Sequence, residues 1–107
     1  MPPEDTPIPE TMGCLMDLKE QGKIRAIGVS NVSLDQLQQH HNAGDLSSAQ
    51  FRYSMLLRDR EEDILPYCAE HNIATLTYWS LEQGLLTGKV GPDRVFAETD
   101  CREYMRT

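Results

Sequence analysis

The hydrophobic period of this chain switches repeatedly between helix-like and strand-like, and that alternation limits the fold more than any other feature. Ile8, Met12, Leu15 and Leu18 recur at three- and four-residue spacing, giving a helix one apolar stripe. Asp5-Thr6-Pro7 precedes it as a start signal, with Thr6 as cap, Pro7 at the first helical position and Pro9 still in the first turn. Gly22 ends the helix, and Lys19 and Lys23 lie near the negative end of its dipole. Residues 24–29 are then a mostly apolar run of strand length. The unit repeats. Ser33 and Gln36 have capping-box spacing ahead of Leu34 and Leu37, Asn42-Ala43-Gly44 closes that helix, and 46–53 is the second strand. Asp59 and Glu62 make a further box-like start, Ile64, Leu65 and Cys68 a buried stripe, and His71-Asn72 a left-handed exit. Residues 73–78 are the clearest strand. Helices alternating with short strands call for parallel crossover connections, so the fold class is α/β.

With 107 residues the chain has room for one domain. Beyond Tyr78, Gly84, Gly88, Gly91 and Pro92 punctuate a loop, and residues 93–107 show no period. The first helix has no strand ahead of it, and residues 101–107 read as the start of an incomplete segment. A self-standing layer of three strands would expose long edges. A section of a larger α/β barrel accounts for both ragged ends and is the expected architecture. The net charge of −7 argues against nucleic acid and anionic membrane as partners. No apolar run approaches the ~20 residues of a membrane span, and the first five residues lack the basic and apolar segments of a secretory signal. Cys14, Cys68 and Cys101, odd in number and widely spaced, suit reduced thiols in the cytoplasm.

In a parallel α/β protein, binding residues gather at the C-terminal ends of strands. Three places qualify: Ser30-Asn31 after the first strand, Gln50 in the second, and Tyr78-Trp79-Ser80-Leu81 after the third. Asn and Gln pair with an amide in both directions and Tyr stacks on a ring, so this set suits a flat, amide-bearing aromatic ligand. Each residue also has an ordinary use: Ser-Asn as a turn and cap, Gln50 as a bond within the strand layer, Tyr78 and Trp79 as core or rim aromatics. Other groups carry less. His40 and His41 are adjacent and diverge on a helix, which reads as a solvated face rather than a metal pair. His71 at a helix end and Glu61-Glu62-Asp63 at a helix start suit the dipole. The cysteines have no histidine beside them in a nucleophile pattern. Gly84–Lys89 lacks the first glycine and the Ser/Thr of a phosphate loop.

Taken together, the segments resemble an aldo-keto reductase. The matching strings are Asp5-Thr6-Pro7-Ile8 with Glu10-Thr11-Met12-Gly13, Gln21-Gly22-Lys23-Ile24-Arg25, and Ile27-Gly28-Val29-Ser30-Asn31. Ile64-Leu65-Pro66-Tyr67-Cys68 with Glu70-His71-Asn72-Ile73, and Gln83-Gly84-Leu85-Leu86-Thr87-Gly88-Lys89, follow in the family's order. The likeness spans roughly residues 2–90. It implies a fragment of a (β/α)8 TIM barrel, running from the helix after strand four to the long loop after strand seven. It further implies an NADPH-dependent oxidoreductase that reduces aldehydes or ketones as small-molecule substrates, without metal. Ser30, Asn31 and Gln50 match the residues that hold the nicotinamide carboxamide, and Tyr78 matches the aromatic that stacks on the nicotinamide. Leu81 and Gln83-Gly84 match the loop over the cofactor pyrophosphate.

Two positions depart from the family pattern. Trp79 stands where Ser, followed by Pro, is frequent, which puts the serine's polar contact to the cofactor in question there. Val32 replaces a common Phe. The family's acid tyrosine, aspartate and lysine belong to earlier segments, so no catalytic residue is assigned here, and the isolated 107-residue polypeptide is expected to be inactive and aggregated or molten. The competing expectations are a cofactor-binding regulatory or non-catalytic barrel subunit, and a self-standing three-strand domain with another ligand.

Overall fold

The computed structural model describes residues 6–100 and residue 102; residues 1–5, Cys101 and residues 103–107 lie outside this set. Three helices, α1 (Ile8–Glu20), α2 (Leu34–Ala43) and α3 (Ile64–Glu70), alternate with three strands, β1 (Gly28–Ser30), β2 (Ser48–Arg52) and β3 (Ala74–Tyr78). The strands pair in chain order, both pairs parallel, with Ser30 opposite Gln50 and Gln50 opposite Leu76. This is the expected α/β alternation.

The helix ends follow local chemistry. In α2 the Gln36 amide N–H donates to Ser33 Oγ at 3.2 Å and the Ser33 N–H donates to Gln36 Oε1 at 3.0 Å, the reciprocal pair anticipated from spacing. Helix α1 ends on Gly22 at φ +77°, with Lys23 N–H bonded to the Leu18 carbonyl and Gly22 N–H to the Lys19 carbonyl, both 3.0 Å. Asn72, at φ +56°, provides the left-handed exit of α3, and Ile73 N–H returns to the Cys68 carbonyl at 2.9 Å.

Two starts differ from expectation. Pro7 is the N-cap residue of α1, in an extended conformation, and no side chain caps the helix; Thr6 does not serve. Asp63, not Asp59, caps α3, accepting from Ile64 N–H at 2.5 Å, because a single 3-10 turn (Asp59–Glu61) takes up the earlier acidic residues. The strands are shorter at their N-terminal ends. Ile24 and Leu46 pack into the core ahead of the ladder and form no part of it, so their hydrophobicity reports burial rather than pairing.

The core lies on one face of the sheet. Successive strand residues point to opposite sides. Ala49 and Phe51 of β2 are buried among Met12, Leu37, Ile64 and Cys68 of the helices. Gly44 lets the end of α2 approach α1: a β-carbon there would lie 2.9 Å from Met16 Cγ and 3.0 Å from Met12 Cε. His40, expected on a solvated face, is buried, with Nδ1–H donating to the Gln36 carbonyl at 2.7 Å. His41 packs edge-on to Tyr67 and His71 where α2 meets α3. Cys14, placed near the apolar stripe by its spacing, is exposed, while Cys68 is buried. Among the described residues no helix is long and apolar enough to cross a membrane.

Candidate functional site

The other face of the sheet carries Ser30, Gln50, Arg52, Leu76 and Tyr78, which alternation and register place on one side. No described helix covers that side, and Ser30, Gln50 and Leu76 are exposed. The polar members lie toward the C-terminal ends of the strands. At the end of β1 the chain turns through Asn31 at φ +56°, a conformation Asn tolerates better than most residues. Asn31 N–H donates to the Gln50 carbonyl at 2.9 Å, so the turn stays tied to β2. Tyr78, from the far strand, donates its hydroxyl to Asn31 Oδ1 at 2.6 Å across 47 residues of sequence.

That bond gathers Ser30, Asn31, Gln50 and Tyr78 at one strand end. Among the described residues, the Ser30 hydroxyl, the Asn31 amide nitrogen and the Gln50 side-chain amide make no hydrogen bond. They are exposed donors and acceptors beside a half-buried phenol ring. An amide-bearing planar ring finds there both a π face and partners for its own donors and acceptor.

Trp79 extends the aromatic surface. Its indole stands edge-on to Tyr78, centroids 6.3 Å apart at 87°, and is 44% exposed. The Arg52 guanidinium lies over the indole, 4.5 Å from its centroid. Arg52 also pairs with Glu82, and Glu82 accepts the Ser54 hydroxyl at 2.6 Å. These two bonds, Arg52's first, hold the Glu82 carboxyl below the usual carboxylate range. Glu82 is itself buried, and together with Trp79 and Gln83 it adopts positive φ, between +49° and +57°. Each such residue costs roughly 1–3 kcal/mol and persists only where the surroundings over-determine it.

The remaining expected positions join less directly. The Leu81 side chain is 57% exposed, and the residue contributes through its carbonyl, which accepts from Gly84 and Leu86 N–H at 3.1 Å each. Gly84, at φ +97°, opens a short 3-10 turn (Leu85–Thr87) that Gly88 closes at φ +80°. A cleft of about 350 Å³ opens behind this loop, lined by Glu82, Gln83, Leu85, Phe96, Arg94 and Arg102 among others. It shares no residue with the Ser30–Gln50–Tyr78 surface. Arg52, Ser54 and Glu82 were not singled out by sequence reasoning. The one signal for them is parity, because Arg52 falls on the same polar side of its strand as Gln50.

Comparison with known proteins bears on the family and the fold. The model of the aldo/keto reductase family matches residues 1–106. This chain belongs to the aldo/keto reductase family. It is 45% identical over 95 residues to the NADH-specific methylglyoxal reductase of Escherichia coli, covering 89% of this chain and 29% of that protein. It is 42% identical over 98 residues to aldo-keto reductase YhdN of Bacillus subtilis, covering 92% and 30%. Among solved structures, the glycerol dehydrogenase AKR11B4 of Gluconobacter oxydans superposes with a TM-score of 0.86 at 41% identity, over 95% of this chain and 31% of that one. A Klebsiella pneumoniae aldo/keto reductase solved with NADP and acetate gives 0.69 at 30% identity, over 94% and 35%. The chain therefore spans about three-tenths of the length of the relatives it matches. Its three parallel strands and their helices are a section of the barrel those structures form.

Proposed function

We propose that this chain supplies the nicotinamide-holding section of an oxidoreductase that reduces aldehydes or ketones to alcohols with NADPH. The observation that carries the reading is the gathering of Ser30, Asn31 and Gln50 beside the Tyr78 ring, tied by the Tyr78–Asn31 hydrogen bond. A carboxamide offers one acceptor oxygen and two N–H donors, and the hydroxyl, amide nitrogen and amide group left without partners suit both. When bound, a reduced nicotinamide supplies a hydride to the substrate carbonyl carbon. Asn31 and Gln50 fix the rotation of the ring in its plane. Tyr78 blocks one ring face and leaves the other for substrate, which sets the donor–acceptor geometry on which the rate depends. Trp79 widens that wall, and the Leu81–Gly84 turn runs where the remainder of the cofactor passes.

None of these residues is assigned the proton transfer to the carbonyl oxygen. The 107-residue polypeptide made alone is accordingly proposed to be inactive, with the uncovered sheet face and free strand edges driving association. We place the protein in the cytoplasm on its reduced-thiol pattern. The relatives differ in cofactor, one being NADH-specific by name and another solved with NADP. NADPH and NADH titrations of the native gene product separate the two. The decisive comparison is Gln50→Leu: it weakens NADPH binding about tenfold, as for one lost polar contact, and leaves 2′,5′-ADP, which has no nicotinamide, unchanged. Equal weakening of both ligands, or of neither, contradicts the assignment.

A further inference from the structure

The Arg52–Glu82–Ser54 network lies outside the residues proposed to meet the carboxamide, yet it touches the aromatic wall. Arg52 leaves β2 opposite Tyr78 in the register and lays its guanidinium on the Trp79 indole at 4.5 Å. The same guanidinium donates through Nη2 to Glu82 Oε2, and the other Glu82 oxygen takes the Ser54 hydroxyl at 2.6 Å. Ser54 is fixed in turn, its Oγ accepting from Leu56 and Leu57 N–H at 3.2 Å each. Glu82 N–H closes the loop on the Trp79 carbonyl at 2.9 Å. Trp79 is thus held through its ring and through its backbone while sitting in a left-handed conformation that an indole side chain disfavours. Its edge then rests against Tyr78.

We propose that Arg52 and Glu82 are positioning residues whose ion pair pins Trp79 against Tyr78 and so sets the ring wall on which the nicotinamide stacks. The proposal rests on the cofactor reading above and adds to it the reason Trp79 is tolerated: its ring takes the Arg52 cation rather than a polar contact with the ligand. In a half-buried pair that leans on a neighbouring ring, removing one charge frees the other to turn toward water and so releases the ring. Arg52 is the member that moves, since it is the one partly open to solvent.

The test uses the native gene product and its Glu82→Gln and Arg52→Lys variants, with the Trp79 signal isolated by difference against Trp79→Phe. Glu82→Gln is expected to shift the Trp79 emission and near-ultraviolet dichroism and to weaken NADPH binding about fivefold, the scale of one ordinary net hydrogen bond. Arg52→Lys, which keeps a cation beside the indole, is expected to retain most of the affinity. Because Glu82→Gln lowers stability as well, melting is recorded beside binding. A lower Tm with unchanged Trp79 spectra and unchanged affinity makes the pair structural only and overturns the proposal. If neither NADPH nor NADH binds the unmodified protein, the cofactor reading falls instead, and a Trp79 signal that still responds to Glu82→Gln leaves the pin itself standing.

Discussion

Replacing Tyr78 separates the hydrogen bond it makes to Asn31 from the stacking proposed for its ring. Tyr78→Phe removes one neutral hydrogen bond, the 2.6 Å contact to Asn31 Oδ1, and keeps the ring. Such a bond contributes about 0.5–1.5 kcal/mol net, so stability should fall by about 1 kcal/mol. The Asn31 backbone N–H stays bonded to the Gln50 carbonyl, so the turn that carries the proposed carboxamide partners stays in place. NADPH affinity is then expected to drop by no more than about threefold, roughly 0.7 kcal/mol. Tyr78→Leu removes the ring as well. Aromatic pairs are worth about 0.5–1.5 kcal/mol beyond area, and the leucine leaves one face of the nicotinamide open, so the loss should reach about tenfold or more. The assay is fluorescence titration of the native gene product with NADPH, alongside thermal melting for each variant. If Tyr78→Phe loses as much affinity as Tyr78→Leu, the hydroxyl and not the ring carries the interaction, and the stacking argument is wrong. If Tyr78→Leu binds as tightly as the unmodified protein, Tyr78 does not face the cofactor at all.

The other expectations concern stability and reactivity. Ser33→Ala breaks the capping box at the start of α2 and should cost about 1 kcal/mol, read from urea unfolding, with Ser33→Gly costing less. Cys14 should react with iodoacetamide much faster than Cys68, because Cys14 is exposed and burial raises the Cys68 thiol pKa; mass spectrometry of partly labelled protein decides, and equal rates would place Cys68 outside the core. Acid should destabilise the loops after β2 and β3. The folded carboxyls of Glu82 and Asp100 titrate below their unfolded values, so their contribution is present above the ordinary carboxylate range and is lost as pH falls through it, for Asp100 from 3.8 down to about 2. A Glu82→Gln variant should show a shallower loss of Tm across that interval, and an unchanged slope would refute the assignment.

How far the sequence foretells this structure depends on the range of each interaction. The Ser33–Gln36 box, the Gly22 stop and the Asn72 exit are contacts within a few residues, and spacing alone reveals them. The start of α1 escapes because Pro7 closes the helix through backbone geometry, with no side chain taking part. Strand beginnings escape for a different reason: Ile24 and Leu46 are apolar because they fill the core, and composition does not distinguish that from pairing. The same holds for His40, whose ring is satisfied by the Gln36 carbonyl one turn back and needs no water. At the site, the family resemblance points to Ser30, Asn31, Gln50 and Tyr78, and the fold brings them to one strand end. The Tyr78–Asn31 bond joins residues 47 apart and the Arg52–Glu82 pair residues 30 apart, distances over which no period or motif operates.

The central claim is that a nicotinamide rests on Tyr78 within reach of Asn31 and Gln50. Intermolecular nuclear Overhauser effects between NADPH and the native gene product test it directly. The account predicts cross-peaks from the nicotinamide ring protons to the Tyr78 ring, joined by the Asn31 and Gln50 side-chain amide protons. Nicotinamide contacts confined to Phe96 and Leu85 in the neighbouring cleft, with none to Tyr78, would contradict it.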